Sequence, residues 1–358
     1  MLRSCCWNTL LGIIRIMYFR VLLAASMLAT ATYAPANDIE TFPHYRPETQ
    51  VSGQLRVWGN DFMAKLFGLW TAGFSKYHPA VKYEVFLKST ATGIGALYTG
   101  VSDMSLLGRE IWPSETLGFQ KVFGYEPLGF SVATGSFDAE GKTWPHIIFV
   151  NKDNPLNKLT LKQLDAIFGA ERKRGEKEPI VKWGQLGLTG DWADKPIHVY
   201  GYDMQIPGFT YFFQQAVFLG SDRWTCNLHE FYNAHRPDGS LIAVAGNLIT
   251  KAVGEDRYAI AYTGIQFRTS LVKPLALAET DTGPYIEPTK ETTQNRTYPL
   301  TRSVYIFINR APGKPIDPKV KEFLRYIFSH DGQQNVAQEG DFLPLTNALL
   351  AEQVRKLE

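Results

Sequence analysis

Three times along this chain a short apolar run ends in a polar or glycine-containing turn and then opens a helical pattern. The first run, Leu55-Arg56-Val57-Trp58, gives way to Gly59-Asn60-Asp61, and Phe62, Leu66 and Trp70 then share a helical face with Met63 beside them. The second stretch runs from Val81 to Arg109. Tyr83, Val85 and Leu87 alternate with Lys82, Glu84, Phe86 and Lys88, the period of a strand. Ser89-Thr90-Ala91-Thr92-Gly93 follows, rich in helix-capping hydroxyls, and Ile94, Leu97, Tyr98 and Val101 then form one apolar helical face. Met104-Ser105-Leu106-Leu107 reads as a buried strand ending at Gly108-Arg109. The third junction joins Ile197-His198-Val199-Tyr200 to a helix carrying Phe212, Phe213, Ala216 and Val217, through the loop Gly201 to Thr210. Alternating strands and helices predict an α/β fold with covered sheets. Helix starts that follow neighbouring parallel strands point into one crevice, where free N–H groups and the helix dipole favour a small anion.

The rest of the chain fits the same class. Gly129 to Ala133 and His146 to Val150 are strand-like. Thr160-Leu161-Lys162-Gln163 is a capping box, and Leu161, Leu164, Ile167 and Phe168 continue its helix. Glu171 to Glu178 is a charge run, expected to be a solvated loop. A short strand or turn from Leu241 leads to a helix near Asn247, and Tyr258 to Tyr262 and Val304 to Ile308 are strands. Residues 37–52 read as a loose lead-in and 273–297 as a long loop rich in Thr, Pro and Glu. Asp317-Pro318 is an N-cap followed by Pro at the first helical position, ahead of Val320, Phe323, Leu324, Ile327 and Phe328.

Composition sets limits on function. The 358 residues are 45% hydrophobic and 20% charged, which suits a folded chain of two domains. Net charge is +2 without a long basic run, so no nucleic-acid footprint is expected. Residues 1–36 read as a signal peptide: Arg15 and Arg20 precede an apolar run too short to span a bilayer, and Ala34-Pro35-Ala36 supplies the small residues for cleavage. Met1 and Met17 are both candidate starts. Cleavage removes Arg3, Arg15 and Arg20 and no acid, leaving 34 basic against 35 acidic residues. It also removes Cys5 and Cys6, neither of which is placed for lipid attachment. Cys226 is then left without an intrachain disulfide partner. The expected location is the periplasm or the exterior, with no stable membrane insertion after cleavage.

Several segments together resemble the phosphate-binding periplasmic receptors of ABC importers, the type II solute-binding fold. The most specific is Asn151-Lys152-Asp153-Asn154-Pro155 followed by Leu159 to Phe168. Tyr258-Ala259-Ile260-Ala261-Tyr262-Thr263-Gly264 resembles the family's strand near the return crossing. Tyr298 to Arg302, Val320 to Phe328, Gly332-Gln333-Gln334 and Phe342-Leu343-Pro344-Leu345 resemble its C-terminal signature. The resemblance implies two α/β lobes, each a mixed, mostly parallel sheet flanked by helices, joined by two crossing strands with the ligand clamped between. By order, lobe one is 51–137 plus 265–350 and lobe two is 138–264.

Carried over by position, the resemblance implies anion contacts at Asn60, Asp61 and Phe62, at Ser89 and Thr90, at Arg109, and at Tyr202, Gly208, Phe209 and Thr210. The family pattern is broken in or beside this set at four places. Asp61 brings a negative charge where a hydroxyl is usual. Gly108 stands where phosphate receptors often carry an Asp. Tyr202 replaces an Arg, and Ile206-Pro207-Gly208-Phe209-Thr210 replaces a Ser-Gly-Thr, with Pro207 lacking an N–H.

Other chemistry is not written here. His229 and His235 are six apart with Asn233 between them, which breaks the zinc-protease helix spacing. Cys226 beside them reads as a buried thiol next to surface histidines. No nucleotide loop, nucleophile elbow or defensible acid–base pair appears, so no catalysis, metal or cofactor is expected. Two readings follow. The first is an exported receptor, expected to be monomeric, that hands a phosphate-like oxyanion to an ABC permease. The second is a two-lobe scaffold that has lost the ligand and serves protein interaction or sensing.

Overall fold

The computed structural model describes residues 39–204 and 207–358. The signal-peptide reading, Gln205 and Ile206 lie outside the described residues. From its start the chain forms β1 (Gly53–Gly59), α1 (Ala64–Phe74), β2 (Val81–Leu87), α2 (Gly93–Tyr98), β3 (Met104–Leu107), α3 (Pro113–Phe123) and β4 (Leu128–Thr134). It then forms β5 (Ile147–Asn151), β6 (Lys158–Thr160), α4 (Leu161–Phe168), β7 (His198–Tyr202), α5 (Pro207–Ala216), β8 (Leu228–Phe231), β9 (Ala234–His235) and β10 (Leu241–Ala243). Next come α6 (Ala245–Glu255), β11 (Ala259–Thr263), β12 (Val272–Pro274), β13 (Ala276–Ala278) and α7 (Lys290–Gln294). The last elements are β14 (Ser303–Ile308), α8 (Pro318–Ile327), α9 (His330–Glu339) and α10 (Asn347–Arg355).

Two five-stranded sheets organise the protein. The first has the order β2-β1-β3-β14-β4 and the second β12-β5-β11-β7-β8. In the first, β1 runs parallel to β2 and β3, and β14 is antiparallel to both its neighbours. In the second, β7 is parallel to β8 and β11, whereas β5 runs antiparallel to both its neighbours, β11 and β12. Each sheet has its own apolar core: Trp70, Phe74, Phe130 and Phe323 in the first, Phe149, Phe168, Phe213 and Tyr262 in the second. This is the two-lobed α/β arrangement the sequence predicts.

The lobes are joined where β4 leads to β5 and where the chain returns to β14. The two crossing segments are laced together: Gly135 N donates to Arg302 O at 2.9 Å and His146 N to Leu300 O at 3.0 Å. The return comes later than the expected residue 265. β12 pairs with β5, and β13 pairs with β6, so 272–278 stay with the second sheet. The expected long loop at 273–297 therefore holds β12 in part, β13 and α7. Its prolines hide these strands because β12 lies at a sheet edge, where a residue without an N–H is tolerated.

Three other local expectations change. Phe62 is half-exposed, and the buried face of α1 instead runs through Leu66, Phe67, Trp70 and Phe74, preceded by Met63. Val85 is exposed although it shares a face with Val81, Tyr83 and Leu87, because the core covers only the ends of that face on the edge strand β2. The lead-in is not loose: Ile39, Phe42 and Tyr45 are buried in the first core, and the Tyr45 hydroxyl donates to Glu322 at 2.6 Å. Among the described residues no helix is long and apolar enough to cross a membrane.

Candidate functional site

The ends of β1, β2 and β3 converge because their backbones come unusually close. Gly59 ends β1 at φ +138°, and a Cβ there would lie 2.0 Å from the Leu106 carbonyl oxygen, so only glycine fits. Asn60 follows and caps the next turn, its Oδ1 accepting from Met63 N at 3.2 Å. Its Nδ2 donates to Thr90 Oγ1 at 2.7 Å, and Gly108 N also reaches that oxygen, at 3.4 Å. Ser89 N donates to Gly59 O at 3.0 Å, while Ser89 Oγ caps Ala91 N at 3.3 Å. Asn60, Ser89, Thr90 and Gly108 thus form one polar cluster at the carboxyl ends of three strands. The N–H groups of Asp61, Phe62 and Thr90 have no protein acceptor among the described residues.

Gly108 has a packing reason to be glycine. A Cβ at this position would fall 2.6 Å from Asn60 Nδ2. The Asn60 amide occupies the room that an acidic residue at 108 would need. Gly108→Asp is therefore expected to push Asn60 off its cap and off Thr90. Loss of such a cap costs about 1 kcal/mol, which a shift of the urea midpoint would measure.

Arg109 is buried and carries the cation of the site. Its Nη1 and Nη2 fork onto Glu115 at 2.8 and 2.7 Å, and Nη1 also donates to Glu110 O. The guanidinium lies 3.6 Å from the centroid of the Trp112 ring. These contacts leave Nε–H without a protein acceptor among the described residues. Next to it, Arg302 pairs with Glu110 at 2.8 Å and stands 4.9 Å from the Phe212 ring centroid of α5. Tyr211 of α5 comes within 6.3 Å of Trp112, centroid to centroid. The first turns of α5 therefore face the Arg109 corner of lobe one. Thr143, on the crossing segment, donates its hydroxyl to Gly108 O, and Lys142 donates to Phe62 O at 3.0 Å.

The residues expected from lobe two behave differently. Tyr202 is buried, its hydroxyl is bonded to Thr263 Oγ1 at 2.6 Å, and burial pushes its phenol well above the ordinary range. It cannot stand in for an arginine, because its polar atom is committed within lobe two. Phe209 stacks on Trp144 with centroids 4.5 Å apart, and also contacts Tyr202. Thr210 is buried, and Gly208 has open space where a Cβ would be. Asp61 is exposed.

Some groups at the lobe junction carry little signal in the sequence. Glu110 and Glu115 give none, and Arg302 enters only within a C-terminal signature. His146 is fully buried among aromatic rings, and neither ring nitrogen has a hydrogen-bond partner among the described residues. Burial first, and then the Arg302 charge, hold its pKa well below the usual value, so its imidazole is neutral. Cys226 is exposed, not buried as expected, because it lies at a turn just before β8. His229 and His235 sit on strands, which removes any zinc-helix geometry.

The PBP superfamily domain matches residues 46–331. The chain belongs to that superfamily. Within it, the chain is 32% identical to the phosphate-binding protein PstS of Pseudomonas aeruginosa over 343 residues, 96% of this chain and 98% of the relative, which places it in the PstS family. It is 24% identical to protein SphX of Synechococcus elongatus over 76% of this chain and 72% of that protein. The PstS structure from Borrelia burgdorferi superposes with a TM-score of 0.53 at 15% identity, covering 83% of this chain and all of that one, and shares the PBP fold.

Proposed function

We propose that this PBP-family protein is an exported, non-catalytic receptor that closes on a small oxyanion, inorganic phosphate first, for an ABC permease. The observation that carries the reading is the 32% identity to PstS across nearly the whole length of both chains. The cluster of Asn60, Thr90 and Gly108 beside Arg109 supports it with a physical site. The ligand-free scaffold finds no support in these relatives. The lobes are best divided as 39–134 plus 303–358, and 147 to about 300, following the sheets.

The donors suffice in number. Micromolar affinity needs about 8 kcal/mol, and each hydrogen bond to a charged group contributes about 1.5–3 kcal/mol. Three free N–H groups, the Arg109 Nε–H and the Ser89 hydroxyl reach that range without Tyr202. Lobe closure excludes water and strengthens each of these bonds. Isothermal titration of the chain from Asn37 with phosphate, sulfate, molybdate and organic phosphates tests the proposal. The expected result is micromolar or tighter binding of phosphate and weaker binding of the others. No heat from any member of the panel would remove the receptor reading.

A further inference from the structure

We propose a transition-metal site, of zinc type, outside the cleft, built from His44, His330 and Asp331 with Glu40 as the fourth ligand. One ligand atom from each of His44, His330 and Asp331 lies within 4.8 Å of the others. His44 Nδ1 is 3.5 Å from Asp331 Oδ2, and His330 Nε2 is 3.8 Å from Glu40 Oε2. Zinc–ligand bonds of about 2.0–2.1 Å in a tetrahedron put neighbouring ligand atoms about 3.4 Å apart. Two of the spacings are thus already close to what the metal requires. The remaining contraction falls on His44 and Glu40, whose side chains are 70% and 87% exposed and free to move.

The surroundings fit ligation. The His44 and His330 rings lie with centroids 4.2 Å apart and tilted by 49°, a close approach with no hydrogen bond between them. His330 turns Nε2 toward Glu40, so that nitrogen is the one placed to ligate. Asp331 Oδ2 is oriented by the Tyr45 N–H at 2.8 Å, the kind of outer support that metal-binding carboxylates receive. Two imidazoles with carboxylates form a donor set typical of Zn²⁺, and two carboxylates balance its charge. They also offset the positive end of α9, where His330 and Asp331 sit.

The geometry gives the metal a structural task. Glu40 and His44 belong to the lead-in, and His330 and Asp331 to the first turn of α9. A bound ion would pin the lead-in to lobe one, adding to the His330 N to Pro43 O bond at 2.9 Å. This assignment does not depend on what the cleft binds.

The test is titration of chelator-treated Cys226→Ser protein with Zn²⁺, the substitution removing the exposed thiol as a competing ligand. One equivalent is expected to bind, and residues 39–45 are expected to gain protection from hydrogen exchange. His44→Ala and His330→Ala should each weaken binding at least ~10-fold, since even outer partners of metal ligands carry about that much. The exposed His44 ring makes the first variant safe for folding, which circular dichroism checks. Absence of zinc binding by Cys226→Ser, or unchanged affinity in His44→Ala, would overturn the site.

Discussion

Arg109→Ala is expected to weaken phosphate binding about 10- to 150-fold, the equivalent of one charge-assisted hydrogen bond. Two effects add. The variant loses a buried guanidinium on the residue that follows Gly108, one whose Nε–H has no protein acceptor among the described residues. It also leaves the Glu115 carboxylate, 14% exposed, without its partner, so a bare negative charge faces the anion. Arg109→Lys should fall between, because an ammonium keeps the charge but cannot hold both Glu115 oxygens and the Trp112 face together. The pair Arg109→Ala with Glu115→Gln separates the two effects. It should recover part of the affinity by removing the repulsion, while the amide oxygen introduced in place of the carboxylate can still accept the Trp112 N–H that caps α3. Titration with inorganic phosphate reads all three variants. Wild-type affinity in Arg109→Ala would take this residue out of the site.

The largest effect on stability is expected at Glu339. Its side chain is fully buried and accepts from Lys142 Nζ at 2.8 Å, Asp341 N at 3.0 Å and Phe342 N at 3.1 Å. Glu339→Ala leaves the lysine and two N–H groups without that acceptor, a loss of about 3–5 kcal/mol for breaking a buried pair. It should also loosen Lys142 from the Phe62 carbonyl and so disturb the first anion loop. The carboxyl responds to pH in a definite direction. Burial pushes its pKa up, but Lys142 and the two N–H groups outweigh this, and the net shift is down. A depressed carboxylate stabilises the fold fully above the ordinary carboxylate range and loses that contribution as pH falls through its lowered value. The urea midpoint of the wild type should therefore drop on acidification more steeply than that of Glu339→Gln. Parallel pH profiles would show that Glu339 does not contribute this stability.

What can be read from sequence is chemistry completed within a few residues. Asn60 caps Met63, Thr160 and Gln163 satisfy each other, and Asp317 caps the turn beginning with Pro318. Each signal carries its own hydrogen bonds, so the strand–loop–helix units and the α/β class are legible. The misses depend on partners far along the chain. Arg302 finds Glu110 and Tyr202 finds Thr263 only once the fold exists. Nothing local to Tyr202 says that its hydroxyl turns toward lobe two. Likewise Phe62 continues a helical spacing on paper, yet the neighbouring Met63 takes the buried place. The order of the lead-in is hidden because its prolines mask a spaced set of apolar residues, Ile39, Phe42 and Tyr45, that lobe one covers.

The contact between position 108 and the Asn60 amide has an evolutionary consequence. An acidic side chain at 108 costs the Asn60 cap unless residue 60 is already smaller, and a small residue at 60 gives up that cap itself. The two sites are epistatic, and the order of substitution is constrained. A lineage carrying asparagine at the first is therefore biased toward glycine at the second.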